Sequence, residues 1–278
     1  MKAASFAYER PAELNAALAL IATAGGATKI IAGGQSLGPM LNLRLVEPDL
    51  LVDISGLSEL KQAERRGDEL VIGACVTHGD IEDGRIPDVT RGAMQRVAGA
   101  IAYRAVRNRG TIGGSLSHAD PAADWVSALS ALGAKLTLRS LAGVRHLAIE
   151  EFIIGALESV LRPGEIVEAV RVPAMTPSAK WGYVKACRKT GEFAHAIAAV
   201  LVDPESATAR AVIGALDTAP IVLSDAAALF GGQVTGDFTQ RFDARVADAM
   251  LMKAGLTNAA DRHIHVAVLR RAINEASA

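Results

Sequence analysis

The chain has 278 residues, half of them hydrophobic, with 29 basic and 30 acidic side chains and a net charge of -1. That length and apolar content suit a soluble globular protein of two or three units, and the near-zero charge excludes general attraction to nucleic acid or an anionic membrane. Two cysteines, Cys75 and Cys187, stand far apart and outside any Cys-x-x-Cys spacing, so neither a disulfide framework nor a zinc site is expected, and the four thiolates of an iron–sulfur cluster are not available.

In chain order, Pro11-Ala12-Glu13-Leu14 opens a predicted helix with Leu14, Leu18 and Ile21 on one face, closed by Gly25-Gly26. A short strand, Thr28 to Ala32, stops at Gly33-Gly34-Gln35-Ser36-Leu37-Gly38-Pro39, a glycine turn leading into a helical start. Gly33 and Gly38 have the separation of a phosphate loop, but Pro39-Met40 stand where Lys and Ser/Thr are required, and the Gly-x-Gly-x-x-Gly fingerprint is missing. Both failures weigh against a nucleoside triphosphatase and a doubly wound dehydrogenase. Leu50 to Ile54 and Glu69 to Ala74 read as strands flanking a polar turn, and Thr77-His78-Gly79-Asp80 has the form of a helix capping box, which makes His78 a structural residue first and a ligand second.

A helix around Asp88 to Val97 precedes Arg104, Arg107 and Arg109, cations suited either to a pyrophosphate or partner's acidic surface or to solvent. They lead into a second binding-type turn, Thr111-Ile112-Gly113-Gly114-Ser115. Paired glycines allow positive φ and close approach of a ligand, and Thr111 and Ser115 add hydroxyls. Asp120 is expected to cap a helix beginning at Pro121 and running on through Val126, Leu129 and Leu132 to Gly133. Strands are predicted at Ala134 to Leu138 and Glu165 to Pro173, and a unit boundary at Met175 to Ser178. Beyond it, strands at Trp181 to Cys187, Ala196 to Val202 and Ala209 to Leu216 precede helices at Asp225 to Phe230, Gln240 to Ala254 and Asp261 to Glu275, an α+β order. His263 and His265, two apart on a helix, point to different faces and read as surface or interface residues.

Ala32-Gly33-Gly34-Gln35-Ser36-Leu37 with Leu43-Arg44-Leu45, followed by Thr111 to Ser115 with Asp120-Pro121-Ala122-Ala123-Asp124, resembles the FAD-binding medium subunit of molybdenum hydroxylases, the xanthine dehydrogenase and carbon monoxide dehydrogenase family. The resemblance spans essentially the whole chain. It implies a two-subdomain FAD-binding fold of the vanillyl-alcohol-oxidase type, residues 1–56 and 57–177, plus a C-terminal α+β domain, residues 178–278, with a three-stranded antiparallel sheet and helices. It also assigns FAD contacts to both turns: Ala32, Gly33, Gly34, Gln35, Ser36 and Leu37, then Thr111, Ile112, Gly113, Gly114 and Ser115. Asp120 and Asp124 join them, Asp124 as an acceptor for ribityl or ribose hydroxyls, with Val167, Lys185 and Phe193 near the isoalloxazine ring.

Two departures from the family pattern stand out. Ser115 replaces a common asparagine, shortening the reach of that contact, and Glu192-Phe193 replaces a common Asp-Tyr, keeping the aromatic face without the hydroxyl. The implied role is electron transfer: a molybdopterin-binding large subunit hydroxylates the substrate, a small subunit with [2Fe-2S] clusters relays electrons, and this chain passes them through FAD to an external acceptor, in a dimer of heterotrimers. The missing cluster cysteines agree with that division. A self-contained FAD-dependent oxidase or dehydrogenase of the same fold is the alternative, with His195 as its candidate base. No signal pattern or bilayer-length apolar run is read at the sequence level, so a cytoplasmic location is expected.

Overall fold

A computed structural model describes residues 2–24, 27–189 and 191–277. The N-terminal segment holds β1 (Ala7–Glu9), α1 (Leu14–Thr23), β2 (Thr28–Ile31), α2 (Leu37–Asn42) and β3 (Leu50–Asp53). β3 pairs in parallel with both β1 and β2, giving the order β1-β3-β2. Its central place explains its run of apolar residues, since Leu51 and Val52 are shut off from water on both faces. α1 buries Leu14, Ala17 and Leu18, spaced three and four apart, against this sheet. The Gly25-Gly26 stop expected for α1 lies outside the described residues.

The middle segment is built on an antiparallel five-stranded sheet, β4-β5-β10-β6-β7, from β4 (Ala63–Arg66), β5 (Glu69–Gly73), β6 (Lys135–Ser140), β7 (Gly143–Ala148) and β10 (Ile166–Pro173). The strands expected at Leu50 to Ile54 and Glu69 to Ala74 form as β3 and β5, in different sheets, and β5 pairs with β4, an exposed edge strand whose Ala-Glu-Arg-Arg sequence carries no apolar alternation. Between β5 and β6 come α3 (His78–Glu82), α4 (Ala93–Ala100), α5 (Arg104–Arg107), α6 (Ile112–His118) and α7 (Asp124–Ala131); α8 (Ile149–Phe152) and the hairpin of β8 (Ile153–Gly155) and β9 (Glu158–Ser159) complete the segment.

The C-terminal sheet has four antiparallel strands rather than three: β11 (Lys180–Ala186), β12 (Ala196–Asp203), β13 (Thr208–Gly214) and β14 (Ile221–Leu223). The fourth strand escapes sequence reading because it is only three residues long and half-buried throughout. β12 alternates between two cores. Ile197 and Ala199 face the middle segment, while Ala198, Val200 and Val202 face the terminal helices. Those helices are α9 (Phe238–Arg241), α10 (Ala244–Lys253) and α11 (Ala259–Ala276), with a 3-10 turn at Ala227–Phe230 where a helix was expected. The single helix predicted over 240–254 breaks at Asp243, whose Oδ1 caps α10 by accepting from the amides of Arg245 and Val246.

α7 packs between these layers, and all eight of its residues are buried. It lies so close to β13 that a Cβ at Gly214 would fall 2.0 Å from Ser127 Oγ. On the opposite face, a Cβ at Gly182 would fall 1.8 Å from the carbonyl oxygen of Ala272, which seats α11 directly on β11. No helix among the described residues is long and apolar enough to cross a membrane.

Candidate functional site

β2 delivers the chain to the first glycine turn, where Gly34 takes φ of +69°. The amides of Gly34, Gln35 and Ser36 hydrogen-bond to none of the described residues, whereas the next glycine amide, Gly38, donates to the carbonyl of Gly34 at 3.0 Å. Successive free N–H groups in a turn form an anion-accepting concavity. Gln35 braces it by donating from Nε2 to the carbonyl of Gly33 at 3.0 Å.

The second glycine stretch is not a loop. It forms α6, capped by Thr111, whose Oγ1 accepts from the amide of Gly114 at 3.1 Å. Its early amides are already used: Ile112 donates to the carbonyl of Val76 and Gly113 to that of Ala74. Neither Gly113 nor Gly114 has positive φ. Gly113 is required instead by packing, since a Cβ there would lie 2.4 Å from the Cβ of Ala74, while Gly114 is exposed with only Thr111 Oγ1 near its missing Cβ. Asp120 likewise does not cap a helix at Pro121. Its Oδ1 accepts from the amide of Ala122 at 2.8 Å in a tight turn, and α7 starts three residues after Pro121, behind Ala123, because the Asp120 side chain is spent on that turn rather than on a helix cap.

The two turns touch. A Cβ at Gly33 would stand 2.1 Å from the carbonyl oxygen of Arg109 and 2.8 Å from the Cα of Gly110, so only glycine allows this approach. Together they wall a cleft of about 500 Å3. Ala32, Gly33, Gly34, Gln35, Ser36 and Leu37 line it from one side and Thr111, Gly113, Gly114 and Ser115 from the other, with Asp120 in the turn before α7 and Asp124 at its first position. Val167, Lys185 and Phe193 line it too. Ile112 does not, being fully buried in the core behind the turn.

A charged cluster forms part of the cleft wall. Lys185 Nζ donates to Asp124 Oδ1 at 2.8 Å and to the carbonyl of Ala100 at 2.7 Å. Tyr183, two residues earlier on the same face of β11, donates its hydroxyl to the same Oδ1 at 2.7 Å, which leaves Asp124 Oδ2 for another donor. Burial pushes the Tyr183 hydroxyl well above its ordinary range, and the Asp124 carboxylate pushes it further, so Tyr183 stays a donor. Tyr183 carries no motif; its only sequence signal is the i, i+2 relation to Lys185 on a strand. Val167 sits at a bulge in β10, and Phe193 projects 73% exposed from the loop after β11, whose Thr190 lies outside the described residues. Glu192 is flanked by Arg188 and Lys189, both at 3.5 Å.

The arginines before the second turn divide. Arg104 pairs with Asp83 and Glu82, and Arg107 with Glu82 at 2.7 Å, so these two brace α5 against α3. Arg109 enters no ion pair among the described residues and lines a second, polar cavity behind the Gly33–Thr111 wall. The Thr77–Asp80 capping box forms as expected. His195 is exposed and does not line the cleft; His263 and His265 fall on different faces of α11 as expected, His263 exposed, but His265, expected at a surface or interface, is 4% exposed because its face of α11 packs on the core, Nδ1 lying 2.8 Å from the carbonyl oxygen of Asp261. Among the described residues no group of three or more His, Cys, Asp or Glu side chains is arranged to hold a metal.

Residues 4–175 match the family model described as the FAD binding domain in molybdopterin dehydrogenase. The chain belongs to this family. Among relatives of the FAD-binding family, the caffeine dehydrogenase subunit beta of Pseudomonas sp. (strain CBB1) is 37% identical over 206 residues, covering 74% of this chain and 70% of that one. The carbon monoxide dehydrogenase medium chain of Hydrogenophaga pseudoflava is 34% identical over 219 residues, covering 78% and 76%. The molybdopterin-dehydrogenase likeness extends to the whole fold: a chain of the Hydrogenophaga pseudoflava carbon monoxide dehydrogenase lacking the Mo-pyranopterin moiety superposes with a TM-score of 0.89 at 30% identity, covering 99% of this chain and 98% of that one. A chain of quinoline 2-oxidoreductase from Pseudomonas putida 86 gives 0.86 at 30% identity, covering 100% and 98%.

Proposed function

We propose that this chain holds FAD in the cleft between the glycine turns and serves as the electron-transferring flavoprotein subunit of a molybdenum hydroxylase complex. The observation that carries the reading is the meeting of the two turns at Gly33, which brings the free amides of Gly34, Gln35 and Ser36 into one cleft with the Lys185–Asp124 pair. The donor set fits a dinucleotide. The free amides and the Ser115 hydroxyl suit a diphosphate, the unoccupied Oδ2 of Asp124 suits a ribityl hydroxyl, and Val167 with Phe193 offers an apolar and an aromatic surface to a flat ring. FAD, when bound, supplies a carrier that exchanges electrons singly or in pairs.

The residues of this chain bind, orient and tune. Gln35 holds the first turn in its amide-out conformation, Thr111 holds α6, and Tyr183 holds Asp124. Lys185 places a cation at the ring end of the cleft, where positive charge favours electron density. Cys75 is buried and Cys187 half-buried in a different segment, so the [2Fe-2S] clusters that feed the flavin belong to a small subunit and the molybdopterin to a large one. We assign the units as residues 1–56 and 57–177, paired in the vanillyl-alcohol-oxidase manner, and 178–278 as the flavin-subunit domain, in a cytoplasmic dimer of heterotrimers. Purified full-length chain is expected to carry equimolar FAD and to oxidise no organic substrate alone; substrate oxidation at enzymatic rate by the isolated flavin-loaded chain would refute the division of labour.

A further inference from the structure

His78 has no part in the binding set proposed above, yet it lines the cleft. It is the first residue of α3, held by the Thr77–Asp80 capping box, and its backbone amide donates to the carbonyl of Gly110 at 2.9 Å, tying α3 to the second turn. The ring is 5% exposed, and it lines the cleft beside Val106, Gly110 and Thr111. Its Nδ1 lies 3.0 Å from Nε1 of Trp125, which is fully buried on α7. An indole N–H can only donate, so Nδ1 must accept and the ring proton must sit on Nε2.

Nε2 hydrogen-bonds to none of the described residues. The ring keeps 5% of its surface open, and the open space it lines is the cleft. Gly110 makes room for that edge of the ring: a Cβ there would come within 2.8 Å of Cδ2 and 2.9 Å of Nε2. Burial and the nearby Arg107 lower the imidazole pKa to about 4, so the ring is a neutral donor at working pH and brings no charge to the cleft.

Resting on the FAD reading, we propose that His78 is a cofactor contact, its Nε2–H donating to an acceptor oxygen on the diphosphate–ribityl stretch of FAD, with Trp125 as the positioning residue that fixes the donor tautomer.

Two substitutions in the full-length chain separate these roles. The amide oxygen of His78→Asn falls where Nδ1 stands and still accepts from Trp125, but the far donor is lost. The amide nitrogen of His78→Gln reaches toward Nε2 and restores that donor while leaving Trp125 without its acceptor. FAD affinity, measured by flavin-fluorescence titration of apoprotein, is expected to weaken roughly tenfold or more in His78→Asn, as loss of a hydrogen bond to a charged or polar oxygen requires, and to stay within about threefold of wild type in His78→Gln. Equal loss in both variants, loss confined to His78→Gln, or no loss in either overturns the proposal. Imidazole 15N resonances of the unsubstituted chain give a second reading that needs no variant: the Nε2 signal of His78 shifts on addition of FAD with Nδ1 remaining an acceptor, and an unshifted Nε2 signal in FAD-loaded protein overturns it. Failure of the wild-type chain to take up FAD refutes the cofactor reading instead, a result distinct from all of these.

Discussion

Gly33→Ala is the smallest change that drives the two turns apart. The added methyl would stand 2.1 Å from the carbonyl oxygen of Arg109, 2.7 Å from its carbon and 2.8 Å from the Cα of Gly110, all backbone atoms with no rotamer to escape into. Relief to an ordinary carbon–oxygen contact of about 3.2 Å needs a separation of about 1 Å, and overpacking of this kind costs about 1–3 kcal/mol. If the turns keep this spacing without FAD, the whole cost falls on apoprotein stability. If apoprotein relaxes and FAD must pull the turns together, the cost falls on binding, about 5- to 150-fold in affinity. Calorimetric melting of apoprotein and FAD titration, done on the same variant, together recover the total. Gly38→Ala is the control, a glycine in α2 with nothing within 4 Å of its missing Cβ, and it should leave affinity unchanged and raise stability by about 0.5–1 kcal/mol. A Gly33→Ala chain with wild-type melting and wild-type FAD affinity would refute the argument that the turns are in register for one ligand.

Other consequences are open to measurement. Gly114→Val, at an exposed glycine of the cleft wall, should abolish FAD retention with the C-terminal sheet still folded, read by flavin absorbance and circular dichroism, whereas Gly113→Ala, which meets the Cβ of Ala74 at 2.4 Å, should instead lower the melting temperature. Lys185→Met leaves Asp124 with only Tyr183 and breaks a pair whose side chains are 12% and 10% exposed; we expect about 3–5 kcal/mol lost in denaturant unfolding, with most of it restored in the double variant with Asp124→Asn. His78 predicts a pH slope. Its folded pKa of about 4 lies below the ordinary value of 6.5, so the unfolded chain binds the proton first, and stability should fall as pH drops from about 6.5 toward 4, by up to about 3 kcal/mol. His78→Gln should flatten that slope; an unchanged slope would remove His78 as its source.

How far the sequence reveals this molecule depends on whether a residue's task is local. The first turn is legible because strand, glycines and helix start follow one another, and the capping box at Thr77 is legible because both partners lie within four residues. α6 is not. Two adjacent glycines weaken a helix by about 1 kcal/mol each, and only the fit of Gly113 against Ala74, 39 positions away in sequence, makes the helix the better solution. β4 and β7 escape for the same kind of reason: as edge strands with charged exposed faces they lack the alternation that marks a half-buried strand. Asp124 is visible as an acidic residue at a helix start, but its hydrogen bond from Tyr183 spans 59 positions and has no local signature. The tautomer of His78 is hidden more deeply still, since it depends on the indole of Trp125 on another helix.

The most direct test of the central claim is the flavin content of this chain after it is purified together with its partner subunits and then separated from them under conditions that keep FAD bound. Equimolar FAD is expected on this chain, with iron, sulfide and molybdenum left on the others. Flavin found on a partner, or absent from this chain while the complex still oxidises its substrate, would contradict it.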